Sequence, residues 1–444
     1  MTYGRLPFLS EELRSFPFVR LSNDKNSSCS TKVRVWIQGA AHGDEPGSDQ
    51  AVLSLLGALD ANQTWTQGLL EKLDIMVLPR YNPDGVFYLQ DTFATNLDPN
   101  RDHIKLARDQ TRRIKETFNE FNPHIALDMH EYSATRQYGP YYHASDAMIA
   151  PSKNLNIHPD IRATVESLFV PQIGAALDDK GLRWTEYVTG TASDDVNANV
   201  SFTEAGSEAR IGRNALGLTQ TITLLSETRG ITIADQHFQR RVATGLTIAS
   251  KLLQIAADNA KEVYHTVESS RRHFTESRED IVVTDYSDVV TDKSTWFIDV
   301  ASDDLIEAHV PFKSSTPKVA NLTRSRPEAY IIPVAWHDVA TRLKTLGLEM
   351  ETLQDEYEGP AEVLTVETST NGTELYEGAH LSAVTMSTNE RHIRLPAGSF
   401  WVSTQQKNAA LAFTALEPEN VDSYVTFGII PLVVGDEYPI FRIL

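Results

Sequence analysis

The stretch VRVWIQGAAHGDEPG, residues 33–47, decides the fold. Val33 to Ala40 is an apolar run of strand length, rich in β-branched and aromatic side chains, so it reads as a buried strand. From Gly47 to Leu59 the apolar residues fall at helical spacing instead. A buried strand that turns into a helix is the opening of an α/β unit. Further along, Leu73 to Pro79, His124 to His130 and Thr221 to Glu227 read as strands. The turn Asn82-Pro83-Asp84-Gly85, a polar helix from about Asp102 to Glu120 and a long helical pattern from about Ala234 to Val267 accompany them. The expected fold class is α/β: a mixed, mainly parallel sheet with helices on both faces.

After Arg271-Arg272-His273 the chain becomes rich in Thr and Val, with strand-like runs EVLTVET, HIRLP, SFWVS and FGIIPLVV and a helix near Trp336 to Leu346. The run Ile429 to Val434 suits a buried strand. This shift predicts a first, catalytic domain over residues 1–275 and a smaller β-rich accessory domain over residues 276–444.

Composition narrows the function. The 444 residues are enough for two or three domains, and the formal charge of −20 argues against a nucleic-acid binder or a contact with an anionic membrane. One cysteine, Cys29, excludes an internal disulfide, a Cys-based zinc finger and a Cys-X-X-Cys redox pair, and no base near it in sequence supports a nucleophile. No run approaches the roughly 20 apolar residues of a spanning helix, and the first residues lack a secretory signal. The chain reads as soluble, either cytoplasmic or exported with its signal absent from this sequence.

The chemistry begins at His42-Gly43-Asp44-Glu45. In open α/β sheets ligands sit beyond the carboxyl ends of the strands, where His42 falls. His42 and Glu45, three apart on a turn entering a helix, can face one ion, and imidazole nitrogen and carboxylate oxygen both suit zinc. Alone, the pair also fits a surface turn with Glu45 serving the helix N-terminus. A third ligand from another strand end is His130, with Asp128 on the same face by period two and Glu131 pointing away. Three protein ligands leave a position for water, the pattern of a catalytic zinc site. Glu227, at the end of a further apolar strand, is the expected base, although a strand-end carboxylate is also at home in solvent.

In this order the residues resemble the zinc carboxypeptidases of the carboxypeptidase A type. The resemblance covers about residues 30–265 and rests on His42 and Glu45, the Asn82 to Gly85 turn, Asp98-Pro99-Asn100-Arg101, His130 and Glu227. It implies one Zn2+ per chain on His42, Glu45 and His130, Glu227 as general base, and Asp98 accepting a hydrogen bond from His42. It implies that Asn100 and Arg101 grip the terminal carboxylate of the substrate. The function implied is a metallocarboxypeptidase acting on a peptide with a free C-terminal carboxylate. A deacylase of small N-acyl amino acids, similar to succinylglutamate desuccinylase and aspartoacylase, would use the same ligands. A binding module that has lost the reaction is a further alternative.

Two family features have no counterpart. Between Gly85 and Asn100 there is no Arg or Lys to polarise the scissile carbonyl, and no Tyr lies between Tyr187 and Glu227. The segment GSEARIGRNALGL offers Arg210 and Arg213 instead, with Arg213 favoured over the alternative of an ion pair beneath its loop. Of the remaining residues, His103 reads as a solvated helix start, and Arg240-Arg241 and Arg271-Arg272 as exposed positions.

Overall fold

The computed structural model describes residues 2–23 and 31–444, so Cys29 lies outside the described residues. Its central sheet has eight strands in the order Thr2–Leu9, Ser15–Leu21, Leu73–Leu78, Val33–Gly39, Ile125–Tyr132, Ile222–Arg229, Ala147–Pro151 and Trp184–Glu186. The four inner strands from Leu73–Leu78 to Ile222–Arg229 run parallel, and antiparallel strands flank them. Alternation along Val33–Gly39 decides what each face holds. Val33, Val35 and Ile37 share a core with Val52 and Leu55 of the helix Pro46–Ala61 and Leu252 of the helix Phe238–Asp258. Trp36 faces the other way, onto Phe118 and Phe121 of the helix Asp109–Phe121. The mainly parallel sheet with helices on both faces is therefore as expected.

Several local expectations are corrected. The helix read from Asp102 begins at Asp109, because the buried Asp102 carboxylate accepts from Ala107 N (2.6 Å) and Arg108 N (3.0 Å) and curls the chain around itself first. The long helical pattern is two helices, Phe238–Asp258 and Ala260–Glu276, parted at Asn259, whose backbone leaves the helical region. Ile429 to Val434 forms no strand. Gly428 turns the chain with a positive φ of 66°, Pro431 has no N–H for a ladder, and Val433 and Val434 are exposed. Arg241 and Arg271 are buried: the first pairs with Glu131, and the second donates to the carbonyls of Gln220 and Pro123.

The later part of the chain does not stay apart from the first. The strands Val290–Asp299 and Leu305–Lys313 enter a six-stranded sheet with Val188–Gly190, Phe202–Glu204, Tyr141–His143 and Gln137–Tyr138. Another six-stranded sheet, all antiparallel, runs Glu351–Thr352, Phe400–Ser403, Ala329–Ile332, Phe441–Ile443, Tyr357–Tyr376 and Ala379–Leu395. The helix Ala409–Leu416, AALAFTAL, is buried along its whole length and carries no amphipathic period to betray it. No described helix is long and apolar enough to cross a membrane.

Candidate metal centre and hydrolytic cleft

The parallel strands deliver their chemistry at their carboxyl ends. His42 follows Val33–Gly39, His130 lies near the end of Ile125–Tyr132, and Glu227 pairs with His130 on the adjoining strand. Backbone bonds fasten the His42 loop to the Asn82 turn: Tyr81 N donates to Gly39 O and Asn82 N to Ala40 O, each at 2.9 Å. At Gly43 a Cβ would stand 1.9 Å from the carbonyl carbon of Gly85, so the two loops meet only because residue 43 carries no side chain. The Asn82 to Gly85 turn is thus structural. Asn82 caps a short helix, Pro83–Tyr88, by accepting from Gly85 N.

Glu45 occupies the N-cap of the helix Pro46–Ala61 but makes no side-chain capping bond. Pro46 has no N–H to satisfy, and the carboxylate turns to the histidines instead. Its Oε1 lies 2.7 Å from His42 Nδ1 and its Oε2 3.0 Å from His130 Nδ1. The ligand atoms of His42, Glu45 and His130 all lie within 4.8 Å of one another, and all three residues are buried. The far nitrogens point to further carboxylates: His42 Nε2 is 3.1 Å from Asp98 Oδ1, and His130 Nε2 is 3.3 Å from Asp128 Oδ1. Two imidazoles among three carboxylates, with both Nδ1 atoms turned to the two oxygens of Glu45, fit a single zinc ion in donor type and arrangement.

Electrostatics agree. Burial works against charge at both histidines, yet Glu45 and Asp98 hold His42 well above its usual range, and Asp128 and Glu45 do the same for His130. Glu45 and Asp98 are depressed despite burial, by His42 and His130 at the first and by His42 and Arg101 at the second. Burial pushes the Glu227 carboxyl up to about 8, against the pull of His130. A cation on the triad would draw it down again.

His42, Glu45, Asp98 and Glu227 line one cavity of about 730 Å³, shared by Arg101, Arg136, Arg210, Arg213 and Tyr187 among others. Asn100 accepts from Gly212 N at 2.6 Å, which orients its amide. Arg101 sits beside it, its Nη1 on Asn100 O at 2.8 Å and its Nε 3.6 Å from Asp98. Arg210 also reaches the cavity, but its guanidinium is paired with the buried Asp422 and lies over Tyr376 and Phe427. Arg213 is different. It is buried on the short helix Gly212–Gly217, donates to Gly206 O at 2.7 Å, and its Nε has no partner among the described residues. Burial lowers its pKa, and the ion pair of this segment is made by Arg210 with Asp422, none by Arg213 among the described residues.

Sequence reading missed several neighbours. Tyr187 lines the cavity with its ring 6.0 Å from the Arg213 guanidinium, so a tyrosine does face the cleft, from an earlier strand edge than the window searched. Tyr376 and Val421 complete the wall from far along the chain, with no motif to mark them. His103, expected in solvent, is buried beside Tyr81.

Residues 9–167 match the family model described as zinc carboxypeptidase. Carboxypeptidase 2 of Trichophyton equinum is 51% identical over 449 residues, covering 100% of this chain and 83% of that protein. Carboxypeptidase 2 of Trichophyton rubrum is 50% identical over the same length and coverage. Among solved structures, a metallo-carboxypeptidase from Pseudomonas aeruginosa in complex with (2-guanidinoethylmercapto)succinic acid is similar at 18% identity, with a TM-score of 0.43 over 59% of this chain and 64% of that one.

Proposed function

The chain belongs to the zinc carboxypeptidase family and is a metallocarboxypeptidase, and from that premise we propose which residues do the work. His42, Glu45 and His130 would hold the zinc. The observation that carries this assignment is the convergence of both Nδ1 atoms on the two oxygens of Glu45, with Glu227 one strand away. Zinc, when bound, supplies Lewis acidity that polarises the scissile carbonyl and makes water acidic enough to react near neutral pH.

The chain's own residues do the rest. Glu227, at the carboxyl end of its strand and shielded from solvent, accepts the proton of the attacking water and returns it to the leaving amine. Arg213 lines the same cavity and stabilises the negative charge that develops on the carbonyl oxygen. Asn100 and Arg101 bind the terminal carboxylate of the peptide, Arg101 with a planar fork suited to two oxygens. Arg210 adds positive potential at the wall while Asp422 holds it in place. Asp98 fixes the tautomer and orientation of His42.

The division into a catalytic unit of residues 1–275 and an accessory region of residues 276–444 belongs to the same proposal. The accessory region shapes the cleft through Tyr376 and Val421. A panel of blocked dipeptides and N-acyl amino acids with varied C-terminal residues, assayed with zinc content, tests the whole reading. Hydrolysis of the dipeptides that Glu227→Gln abolishes supports it. Near-normal turnover by Glu227→Gln, or cleavage of N-acyl amino acids alone, refutes it.

A further inference from the structure

The long hairpin Tyr357–Tyr376 and Ala379–Leu395 leaves the core of its sheet behind as it extends: residues 371–375 are exposed, with Leu375 at 68%. At the turn, Tyr376 and Glu377 become partly buried again, against the hydrolytic site. Glu377 Oε2 accepts from Asp98 N at 2.8 Å, across 279 positions of sequence. Lys105, itself buried, donates from Nζ to Glu377 O at 2.7 Å. Beside it the Tyr376 ring lies 5.1 Å from the Arg210 guanidinium, and Ser382 N donates to Thr426 O at 2.9 Å. The turn is therefore clamped from three sides.

The Glu377 carboxylate stands near that of Asp98, and Lys105 Nζ, 3.9 Å from Glu377 Oε2, offsets the repulsion between them. Glu377 takes up the backbone N–H of the residue whose Oδ1 must stay 3.1 Å from His42 Nε2. We propose that Glu377 is a positioning residue: it anchors the Asp98 backbone, through Asp98 it holds His42 in its ligand orientation, and the hairpin turn is thereby part of the hydrolytic site. The inference rests on the reading of His42 and Asp98 given above.

The test uses the full chain with four variants. Glu377→Ala removes the acceptor, Glu377→Asp keeps the charge but shortens the reach, and Glu377→Gln keeps an acceptor oxygen without the charge. Glu374→Ala lies on the exposed stem of the same hairpin as a control. Zinc retention is measured by competition with a chelator, and kcat and KM on a blocked dipeptide with Glu227→Gln as the blank. Substituting a residue that directly supports a metal ligand costs about 10–100-fold, so one contact further out should cost about 3–10-fold in zinc affinity. Glu377→Ala and Glu377→Asp should both show that loss, with a fall in kcat at nearly constant KM. Glu377→Gln and Glu374→Ala should match the unmodified chain.

Unchanged zinc retention and kcat in both the Ala and Asp variants would overturn the positioning role while leaving Glu227 as base. A Gln variant as impaired as the Ala variant would overturn it too, by showing that the acceptor is not what matters. Failure of the unmodified chain to retain zinc would remove the reading of His42 and Asp98 on which it rests.

Discussion

Two buried clusters of charge sit in this molecule, and they are built on opposite plans. Against the antiparallel sheet at the end of the chain, Glu417 accepts from Tyr330 Oη (2.6 Å) and Arg324 Nη1 (3.0 Å), and its Oε1 lies 3.0 Å from Arg442 Nε. Glu419 takes the other branch of Arg324, and Glu362 pairs with Arg442. Every acid there meets a cation of the chain itself. In the cleft, Glu45, Asp98, Asp128 and Glu227 gather around two histidines, and Arg101, its Nε 3.6 Å from Asp98, is the one arginine paired with any of them among the described residues. Buried charge that is internally matched serves the fold, whereas an acidic excess whose donor atoms converge asks for an outside cation.

The sharpest way to break this contrast is Glu227→Gln. Loss of the proposed base should lower kcat by about 10²–10⁴-fold while zinc content stays at one per chain, read by turnover and metal analysis together. Next comes Glu417→Ala. Removing one partner of a buried ion cluster typically costs about 3–5 kcal/mol, so denaturant unfolding should show a loss of that size with zinc affinity unaltered. If Glu417→Ala instead released zinc, the two clusters would not be independent. Asp98→Asn should weaken zinc binding by about 10–100-fold, measured against a chelator, with little change in the stability of the metal-free chain.

A smaller effect concerns pH. His42 and His130 hold protons above their usual range, and Glu227 is raised from 4.5 to about 8, so the metal-free fold binds more protons than the unfolded chain. That contribution to stability is fully present below the unfolded values and is lost as pH rises through the folded ones, for Glu227 between 4.5 and about 8. Zinc must displace those protons, so the gain in Tm on adding zinc should grow between about pH 5 and pH 8. A gain that stayed flat across that range would contradict the acidic-excess description. Least of all, the exposed pair Arg394 and Glu356 should contribute under about 1 kcal/mol, and Arg394→Ala should barely move the unfolding midpoint.

The catalytic sheet was readable because its signals are local. Apolar runs such as ITLLSE and ALDMH mark parallel strands buried on both faces, and the polar residue that breaks each run at its carboxyl end is the one that reaches the site. Where local signals conflict with context, reading failed. FGIIPLVV has strand composition, but Gly428 and Pro431 make it a turn-rich segment with exposed valines. The paired arginines at 240–241 and 271–272 look like solvent positions, yet Arg241 meets Glu131, a partner 110 residues away. The all-apolar helix Ala409–Leu416 has no period to read.

By itself, the sequence determined the layered α/β architecture and marked the candidate zinc ligands and candidate base at strand ends and the Asp98-to-Arg101 stretch in a loop, because each is a short local pattern. Only the tertiary structure decided that Arg210 is committed to Asp422, that Arg213 is buried in the cavity wall, and that Tyr187, Tyr376 and Glu377 stand around the site. Those contacts join positions up to 279 residues apart, and nothing in the local chemistry of either partner specifies the other. They arise because residues 290–313 and the long hairpin pack back against the first half of the chain, a consequence of long-range burial that no stretch of sequence encodes alone.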